Sequence, residues 1–353
     1  MKRRLFSPGG PLGIRDLGRD RYRMCITIPT DADGRMAREC PNAACSPAYF
    51  KVKPGTGITD GQTRAYCPYC RHEAAPDEFA TREQRRYAKD LAVREAHKGV
   101  NDVVKDALGL GPSGKRSFGG GLVTMSMTFK PGVLPSVRNP VEDEVRRDVV
   151  CPHCMLDHTV FGLATWCADC GQDIFLSHLR GELDVTRCMV GDIERRRETL
   201  GRRVAAKDLE NCLEDAVSIF EAGMKALTRR HLCAVGAAPA EIESRLKKIG
   251  NAFQSVPRTQ EVIADVLDIS SLPNVAWESL NSAFEKRHPI THNLGVVDRK
   301  YLERAQSGDM HGREIRITPS EIEAVLDQVM VTLAAVHARL FTSADDSIGS
   351  GHE

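Results

Sequence analysis

Residues 151–170 read CPHCMLDHTVFGLATWCADC, in which two Cys-x2-Cys pairs enclose twelve residues. Each pair, Cys151 with Cys154 and Cys167 with Cys170, supplies two thiolates from a tight turn, and together they form the ligand set of a tetrahedral zinc site. Because four sulfurs fill the coordination shell, the pattern predicts a structural site rather than a catalytic one. In a module of this size the metal replaces much of the missing hydrophobic core. The stretch therefore predicts a compact β module stabilised by a metal ion.

A similar pattern occurs upstream, where Cys40 and Cys45 are followed by Cys67 and Cys70. Alternating residues at 49–53 and nearby turn signals predict a hairpin that brings the two pairs together. This arrangement resembles a zinc ribbon, except that its first pair is Cys-x4-Cys, and it implies a second structural Zn²⁺ site. Histidines near the two sets are predicted to be neighbours rather than ligands, because sulfur already fills both shells. They are His72, His153 and His158.

The composition limits the classes of protein to consider. The chain has 353 residues, with 49 basic and 48 acidic side chains, so a nucleic-acid partner must be recognised by local patches rather than by net charge. Aromatic residues make up only 5%, which argues against a large stacking platform for single strands. No apolar run approaches the ~18 residues of a membrane span. Cysteines paired at metal-ligand spacing favour a reducing compartment, so we expect a soluble, cytoplasmic protein with no membrane partner.

The sequence predicts a multi-domain α+β protein in which two small zinc-ribbon β modules precede an all-α, up-and-down helical bundle. Boundaries follow a glycine-rich stretch and the change from alternating to helical periodicity. The predicted parts are a flexible basic N-terminal tail (1–24), zinc ribbon 1 with a helix (25–108), a Gly-rich linker (109–121), zinc ribbon 2 (122–178), the helical bundle (179–343) and a disordered tail (344–353). Strands are predicted at 25–28, 49–53 and 122–129.

Two features of these parts leave alternatives open. The helix predicted over 76–108 carries four basic residues on one face, which is either a solvated surface or a contact for phosphates. These residues are Arg82, Arg85, Arg86 and Lys89. The four cysteines outside the pairs are predicted to be small buried residues without a chemical role. They are Cys25, Cys188, Cys212 and Cys233.

Six segments of the C-terminal half place apolar residues at spacings of three and four, which is typical of helices with one buried face. The predicted helices cover about 179–200, 205–230, 242–256, 262–267 and 277–284. The sixth predicted helix begins at Thr318-Pro319-Ser320-Glu321, a capping box with proline in the first helical position. Such helices bury their apolar stripes against one another, so the six segments predict a bundle.

Between the last two predicted helices lies the stretch FEKRHPITHNLGVVDRKY, residues 284–301, which brings one arginine close to two histidines. The stretch resembles the R-x4–6-H motif of the HEPN superfamily, all-helical bundles that include many metal-independent ribonucleases. Arg287 and His292 match the two fixed positions of the motif, and His288 takes the place after the arginine, which is usually polar in that family. The resemblance covers roughly residues 200–341.

The resemblance implies specific roles for these residues. Arg287 would hold the scissile phosphate of an RNA substrate, His292 would be the acid/base, and His288 would be a supporting polar group. In that family two motifs from two protomers often meet in one cleft, which implies a homodimer formed through the helical bundle. The family also implies a role in toxin or antiviral defence systems, with a partner protein or antitoxin.

The residues themselves allow the same chemistry but raise a geometric problem. Arginine presents a planar, permanently charged fork for phosphate oxygens, and histidine exchanges a proton near neutral pH. On a regular helix, however, positions 287 and 292 are about 140° apart, so a disturbance at Pro289 is needed to point both side chains at one spot. The alternative is a basic helix end in which Arg287 pairs with a carboxylate and the histidines are solvated.

The sequence therefore favours an endoribonuclease whose zinc ribbons position the substrate or a partner. A second hypothesis keeps the fold and drops the chemistry, giving a zinc-ribbon nucleic-acid-binding adaptor that dimerises through its bundle. A third hypothesis is a scaffold that binds only proteins. RNA cleavage distinguishes the first from the other two, and salt-dependent binding of nucleic acid distinguishes the second from the third.

Overall fold

The structure is a computed structural model that describes residues 6, 12–19, 21–110, 113–120, 125–140, 147–305 and 308–341. Its strands are β1 (Arg15–Gly18), β2 (Arg21–Arg23), β3 (Met36–Glu39), β4 (Tyr49–Val52), β5 (Ala65–Tyr66), β6 (Glu73–Ala74), β7 (Lys115–Phe118), β8 (Met125–Thr128), β9 (Arg147–Val150) and β10 (Asp157–Val160). Its helices are α1 (Arg82–Ala107), α2 (Phe175–Gly191), α3 (Ile193–Leu200), α4 (Arg202–Ala234), α5 (Pro239–Ile249), α6 (Val256–Asp265), α7 (Trp277–Asn293), α8 (Arg299–Ala305) and α9 (Pro319–Phe341). Small β-sheets are thus followed by many helices, which agrees with the predicted fold class at that level.

The two four-cysteine units share one antiparallel sheet with the strand order β3-β4-β10-β9. Strand β4 of the first unit pairs with β10 of the second, and Phe50 lies opposite Val160 across the pair. Both residues belong to a single buried cluster that also contains Phe79 and Leu156. The two units that the sequence separates by a linker are therefore joined by backbone hydrogen bonds and by a common core.

Several short elements differ from the sequence prediction. β1 and β2 form a hairpin inside the segment predicted as a flexible tail, and β7 lies inside the predicted Gly-rich linker. β7 pairs with β8, which occupies the described part of the strand predicted at 122–129. The strand predicted at 25–28 is wrong: the Cys25 N–H donates to Leu12 O at 2.8 Å, but residues 25–28 belong to no strand in the described ranges. The predicted tail at 344–353 lies outside the described residues.

Helix α1 begins at a capping box. The backbone N–H of Gln84 donates to Thr81 Oγ1, and the side-chain Oε1 of Gln84 accepts from the backbone N–H of Thr81. Along its 26 residues only Gln84 is buried. Arg82, Arg85, Arg86 and Lys89 are all exposed. The helix therefore presents its basic face to solvent, and both readings of that face stay open.

In the C-terminal bundle, α4 is the central helix and contacts α2, α3, α5, α7 and α9. Two of the predicted helices are interrupted. The first is split into α2 and α3 at Asp192, and the third ends at Gly250, whose φ of 57° is in the left-handed region that glycine adopts easily. Helix α8 was not predicted; the carboxylate of Asp298 caps it by accepting the Tyr301 N–H at 2.7 Å.

Helix α9 packs tightly in this bundle. A Cβ atom added at Gly223 of α4 would lie 2.7 Å from Leu333 Cδ1 of α9, so the two helices approach too closely for a larger residue at that position. Among the described helices, α9 is the one long and apolar enough to cross a membrane by length and composition alone. Its apolar stripe, including Ile322, Val329 and Val336, is buried against neighbouring helices.

The sheet and the bundle meet at Asp173, which lies three residues after Cys170. Its Oδ1 accepts the Phe175 N–H at 2.9 Å at the start of α2, and its Oδ2 accepts from Arg230 of α4. His337 Nε2 of α9 lies 2.9 Å from the same Oδ2. Burial raises the pKa of Asp173, but hydrogen bonds from His337 and Phe175 and the charge of Arg230 outweigh it and lower that pKa to about 2. One ionised carboxylate thus connects a cysteine turn to three helices.

His158 of β10 is fully buried, and neither ring nitrogen has a hydrogen-bond partner in the described part of the chain. Burial, together with the charges of His178 and Arg35, lowers the pKa of His158 to about 4. The folded protein therefore holds this imidazole in its neutral form, whereas the unfolded chain protonates it near the ordinary value of about 6.5.

We expect the stability of the fold to depend on pH through this residue. Because the folded pKa is depressed, the stabilisation is complete above pH ~6.5 and is lost as the pH falls toward 4. Between pH 7 and pH 5 the free energy of unfolding should decrease by about 2 kcal/mol from this group alone. Denaturant titrations at both pH values should show that His158→Leu loses this component, with metal content checked at each pH. The exposed His97→Leu is the control, and equal pH dependence in all three proteins would contradict the prediction.

Candidate functional site: two cysteine clusters and an arginine–histidine cleft

The eight cysteines predicted as metal ligands lie in two clusters of four, within each of which the sulfur atoms are all within 4.8 Å of one another. In the first cluster, the Sγ atoms of Cys40 and Cys70 are 3.7 Å apart and those of Cys45 and Cys67 are 3.6 Å apart. A disulfide bond measures about 2.05 Å, so these thiols are not bonded to one another.

The second cluster has the same dimensions. The Sγ atoms of Cys151 and Cys170 are 3.7 Å apart, and those of Cys154 and Cys167 are 3.5 Å apart. A tetrahedron with metal–sulfur bonds of about 2.3 Å has edges of about 3.8 Å, which is close to these spacings. Each cluster is therefore compatible with one bound metal ion.

Three of the four cysteine pairs share one turn. In each, the first cysteine's N–H donates to the carbonyl five residues later and its carbonyl accepts the N–H four residues later, as in Cys67 N to His72 O at 2.9 Å and Arg71 N to Cys67 O at 3.0 Å. The residue four positions after the first cysteine has positive φ, namely 59° at Arg71, 62° at Met155 and 64° at Gly171. This turn points both thiols of a pair in one direction. The Cys-x4-Cys pair lacks it and is closed by the Cys45 N–H donating to Asn42 O at 2.9 Å.

The nearby histidines lie outside both clusters. His158 is buried in the sheet, and His153 Nε2 lies 3.2 Å from the carbonyl oxygen of Asp173. Of the cysteines outside the pairs, Cys212 is buried as expected, whereas the other three are exposed, so that expectation was wrong for them. They are Cys25, Cys188 and Cys233.

The second candidate site is a cleft of about 540 Å³ beside α7. Arg287, His288 and His292 all line it, so the structure brings the three predicted catalytic residues together in one chain. The cleft is closed by α6, by α8 and by the turn at Ala252–Gln254. Helix α7 itself stays helical across Pro289 and ends at Asn293, and the next residue, Leu294, has a left-handed φ of 51°.

Arg287 reaches the cleft from the edge of the helix face. Phe284, His288 and His292 repeat at a spacing of four and line the cleft directly, whereas Arg287 lies about 100° to one side of His288. Its long side chain covers this offset, and its Nη1 donates to Gln254 Oε1 at 3.0 Å. Arg287 and His292 therefore line one cleft without a break of the helix at Pro289, because the long arginine side chain extends across the offset.

The two histidines of the cleft are close to each other, with ring centroids 5.0 Å apart. Partial burial lowers the pKa of His288, and the charges of Lys300, His292 and Arg304 add to that effect against the opposing charge of Asp298. His288 is therefore neutral near pH 7, and a neutral imidazole can accept a proton. His292 is exposed and accessible to a substrate.

The cleft also contains cations that the sequence did not indicate. Arg258 of α6 and Arg304 of α8 line it together with Arg287. In the described part of the chain, no carboxylate oxygen lies within 4.0 Å of any of these three guanidiniums. The alternative in which Arg287 pairs with a carboxylate is therefore not what these residues form. No local motif marks Arg258 or Arg304, because only the packing of α6 and α8 against α7 brings them to the site.

No match to this chain was found among protein-family models, curated proteins or solved structures.

Proposed function

We propose that the protein is a metal-independent RNA endonuclease of the HEPN type, with the cleft beside α7 as its active site. The observation that supports this most is that Arg287, His288 and His292 line one cleft, although they do not lie on one narrow face of their helix. The arginine is free of any carboxylate among the described residues, so its fork is available to a phosphate.

The chemistry needs only these residues and the RNA itself. His292 takes the proton of the ribose 2′-hydroxyl, whose oxygen attacks phosphorus and forms a bond to it. The bond from phosphorus to the 5′-oxygen breaks, and His292 gives the proton that it took to this leaving oxygen. Arg287 stabilises the charge that develops on the phosphoryl oxygens, and His288 supports the site as a neutral polar group. The products are a 2′,3′-cyclic phosphate and a free 5′-hydroxyl.

Cleavage should therefore continue in the absence of divalent cations and should spare DNA, which lacks the nucleophile. His292→Ala should reduce the rate by about 10²–10⁴-fold, which is the usual contribution of a general acid/base. Arg287→Ala should have a similar effect, and Arg287→Lys should restore little activity, because a point charge cannot replace the fork. His288→Ala should have a smaller effect. The measurement is a time course on labelled RNAs with identification of the end groups.

The matched control is Arg180→Gln, which changes an exposed arginine on α2, a helix that packs against α3, α4 and α9. Chelation must be brief, so that magnesium is removed while cysteine-bound metal stays in place. If folded wild-type protein cleaves a panel of structured and unstructured RNAs no faster than His292→Ala does, the nuclease proposal is wrong.

We further propose that both cysteine clusters hold zinc. Four thiolates at tetrahedral spacing suit zinc or iron, and a closed shell without an open position suits a structural role. The ribbons would then position the RNA or a partner protein next to the cleft. A role in toxin or antiviral defence rests on the resemblance of the Arg–His motif alone.

Elemental analysis of protein purified without added metal should find about two zinc ions per chain. Cys151→Ser and Cys167→Ser should each lose metal and unfold the shared sheet, because bound metal contributes roughly 10–16 kcal/mol in small zinc modules. Cys188→Ser, which changes an exposed cysteine outside the clusters, should leave metal content and unfolding unchanged. Folded protein with a metal-to-chain ratio near zero would contradict both assignments.

We also propose a homodimer formed through the helical bundle. Light scattering of the full chain should give twice the monomer mass at tens of micromolar. The cleft of one chain already contains all three motif residues. A monomer that cleaves RNA would therefore contradict the proposed dimer and agree with the proposed nuclease.

A second candidate function is the zinc-ribbon nucleic-acid adaptor, which the basic face of α1 favours. Arg82, Arg85, Arg86 and Lys89 are exposed at the start of a helix that packs little against the rest of the protein. If His292→Ala and wild type are equally inactive, and replacing these four residues with glutamine weakens salt-dependent RNA binding, the adaptor is the better description.

A further inference from the structure

We infer that Arg258 and Arg304 form a second phosphate-binding subsite in the cleft, which holds the backbone of a single-stranded RNA beside Arg287 and His292. The inference rests on the proposed function for the identity of its ligand. It goes beyond the motif, because neither arginine belongs to it: Arg258 precedes it by 29 residues, and Arg304 follows it by 12 residues on a separate helix. Arg258 is on α6 and Arg304 is on α8, and both helices pack against α7.

The first observation is that the arginines of the cleft have no carboxylate partner among the described residues. Elsewhere in the bundle, several exposed arginines pair with a carboxylate, namely Arg195, Arg197, Arg203 and Arg229. Other exposed arginines, such as Arg180 and Arg202, have no carboxylate within 4.0 Å among the described residues, so the cleft differs from the rest of the surface in bringing three arginines without a carboxylate partner together. Inside the cleft, Arg258, Arg287 and Arg304 have no such partner within 4.0 Å among the described residues. Three unneutralised cations around one concave surface attract an anion, and the effect is larger in a cleft than on an open surface.

The second observation is that neutral amides orient two of the guanidiniums. Arg258 Nη1 donates to Asn251 Oδ1 at 3.1 Å, and Arg287 Nη1 donates to Gln254 Oε1 at 3.0 Å. Gln254 is itself fixed, because its Nε2 donates to Glu221 Oε2 at 2.7 Å. An amide acceptor holds an arginine in place without cancelling its charge, so the remaining N–H groups stay available for phosphate oxygens.

The third observation is the balance of charge around the cleft. Lys300 and Arg304 are both close enough to His288 to act on its ionisation. Among the carboxylates nearby, Asp298 acts on His288, Glu214 accepts from Thr291 Oγ1 at 2.6 Å, and Glu221 accepts from Gln254 and pairs with Lys225. Of the strongly charged residues that line the cleft itself, three are arginines and one, Glu285, is a carboxylate.

The size and spread of the site favour a chain of phosphates over a single small anion. The three arginines come from three helices and surround about 540 Å³. A single phosphate can engage one or two forks, whereas a flexible strand can place successive phosphates on each of them. Because such contacts go to the backbone, they carry no base preference and should contribute equally with RNA and DNA of the same length.

The test measures binding rather than cleavage, in the full-length chain carrying His292→Ala so that the RNA stays intact. The probe is labelled oligouridine, and affinity is measured by fluorescence anisotropy at several salt concentrations. Arg258→Gln and Arg304→Gln should each weaken binding about tenfold and reduce the slope of log affinity against log salt by about 0.7–1. The same losses are expected with oligothymidine, because both probes present the same phosphates.

Arg258→Lys and Arg304→Lys distinguish an effect of lost charge from an effect of altered folding. They should keep the wild-type salt slope, because one cation remains at each position, while losing part of the affinity. Arg180→Gln on α2 is the matched control for removal of one exposed arginine and should change neither quantity. If Arg258→Gln and Arg304→Gln bind with the affinity and salt slope of Arg180→Gln, the subsite is wrong. A loss confined to RNA would also overturn it, because the contact would then be to the 2′-hydroxyl.

The outcome can be told apart from that of the nuclease proposal. Weaker binding in both glutamine variants, with no cleavage by wild type, would support the subsite and contradict the nuclease proposal. Cleavage by wild type, with unchanged binding in both variants, would support the nuclease proposal and contradict the subsite. No binding of RNA by the His292→Ala protein at any salt concentration would overturn the subsite.

Discussion

Four cysteine sulfurs within 4.8 Å of one another form a group compatible with one bound metal ion, and the strands and turns between residues 36 and 173 contain two such groups. The strands around them are only two to four residues long, too short to be stable alone in water. The close approach of these sulfur atoms constrains the strands and turns that carry them. Each cysteine turn fixes the end of a strand, and one four-stranded sheet then unites both clusters around a small shared core.

The same constraint extends into the helical bundle through Asp173. Because this residue follows Cys170 by three positions, the second cluster determines where its carboxylate lies. The carboxylate then contacts Arg230 and His337 and caps the start of α2. Arg230 in turn lies over the ring of Trp166, 4.1 Å from its centroid, which adds a cation–π contact at the same seam. Cluster and bundle are therefore parts of one connected structure.

The arginines of the cleft beside α7 lack the carboxylate partner that Arg230 has where the sheet meets the bundle. There, Arg230 is neutralised by Asp173 and stacked on aromatic rings, so it stabilises structure and is unavailable to a ligand. In the cleft, Arg258 and Arg287 are held by amides instead. The two arrangements have different consequences. An arginine paired with a carboxylate is already neutralised within the fold, whereas an arginine without such a partner can still attract an anion from solution.

The sequence by itself determined the cysteine clusters and the helical C-terminal region, because both are local properties. Cys-x2-Cys spacing places two thiols in one turn, and apolar residues at spacings of three and four define a helix face wherever it packs. The sequence also singled out Arg287 and His292. It did not place the boundaries where only packing acts, as at Gly250, where a left-handed backbone ends α5 inside a continuous apolar pattern. Only the tertiary structure joined β4 to β10, since pairing between distant strands leaves no trace in either strand alone. Likewise, only the packing of α6 and α8 on α7 brought Arg258 and Arg304 to the motif, because the charge of a cleft is the sum over residues of several elements, and their packing decides which of them contribute.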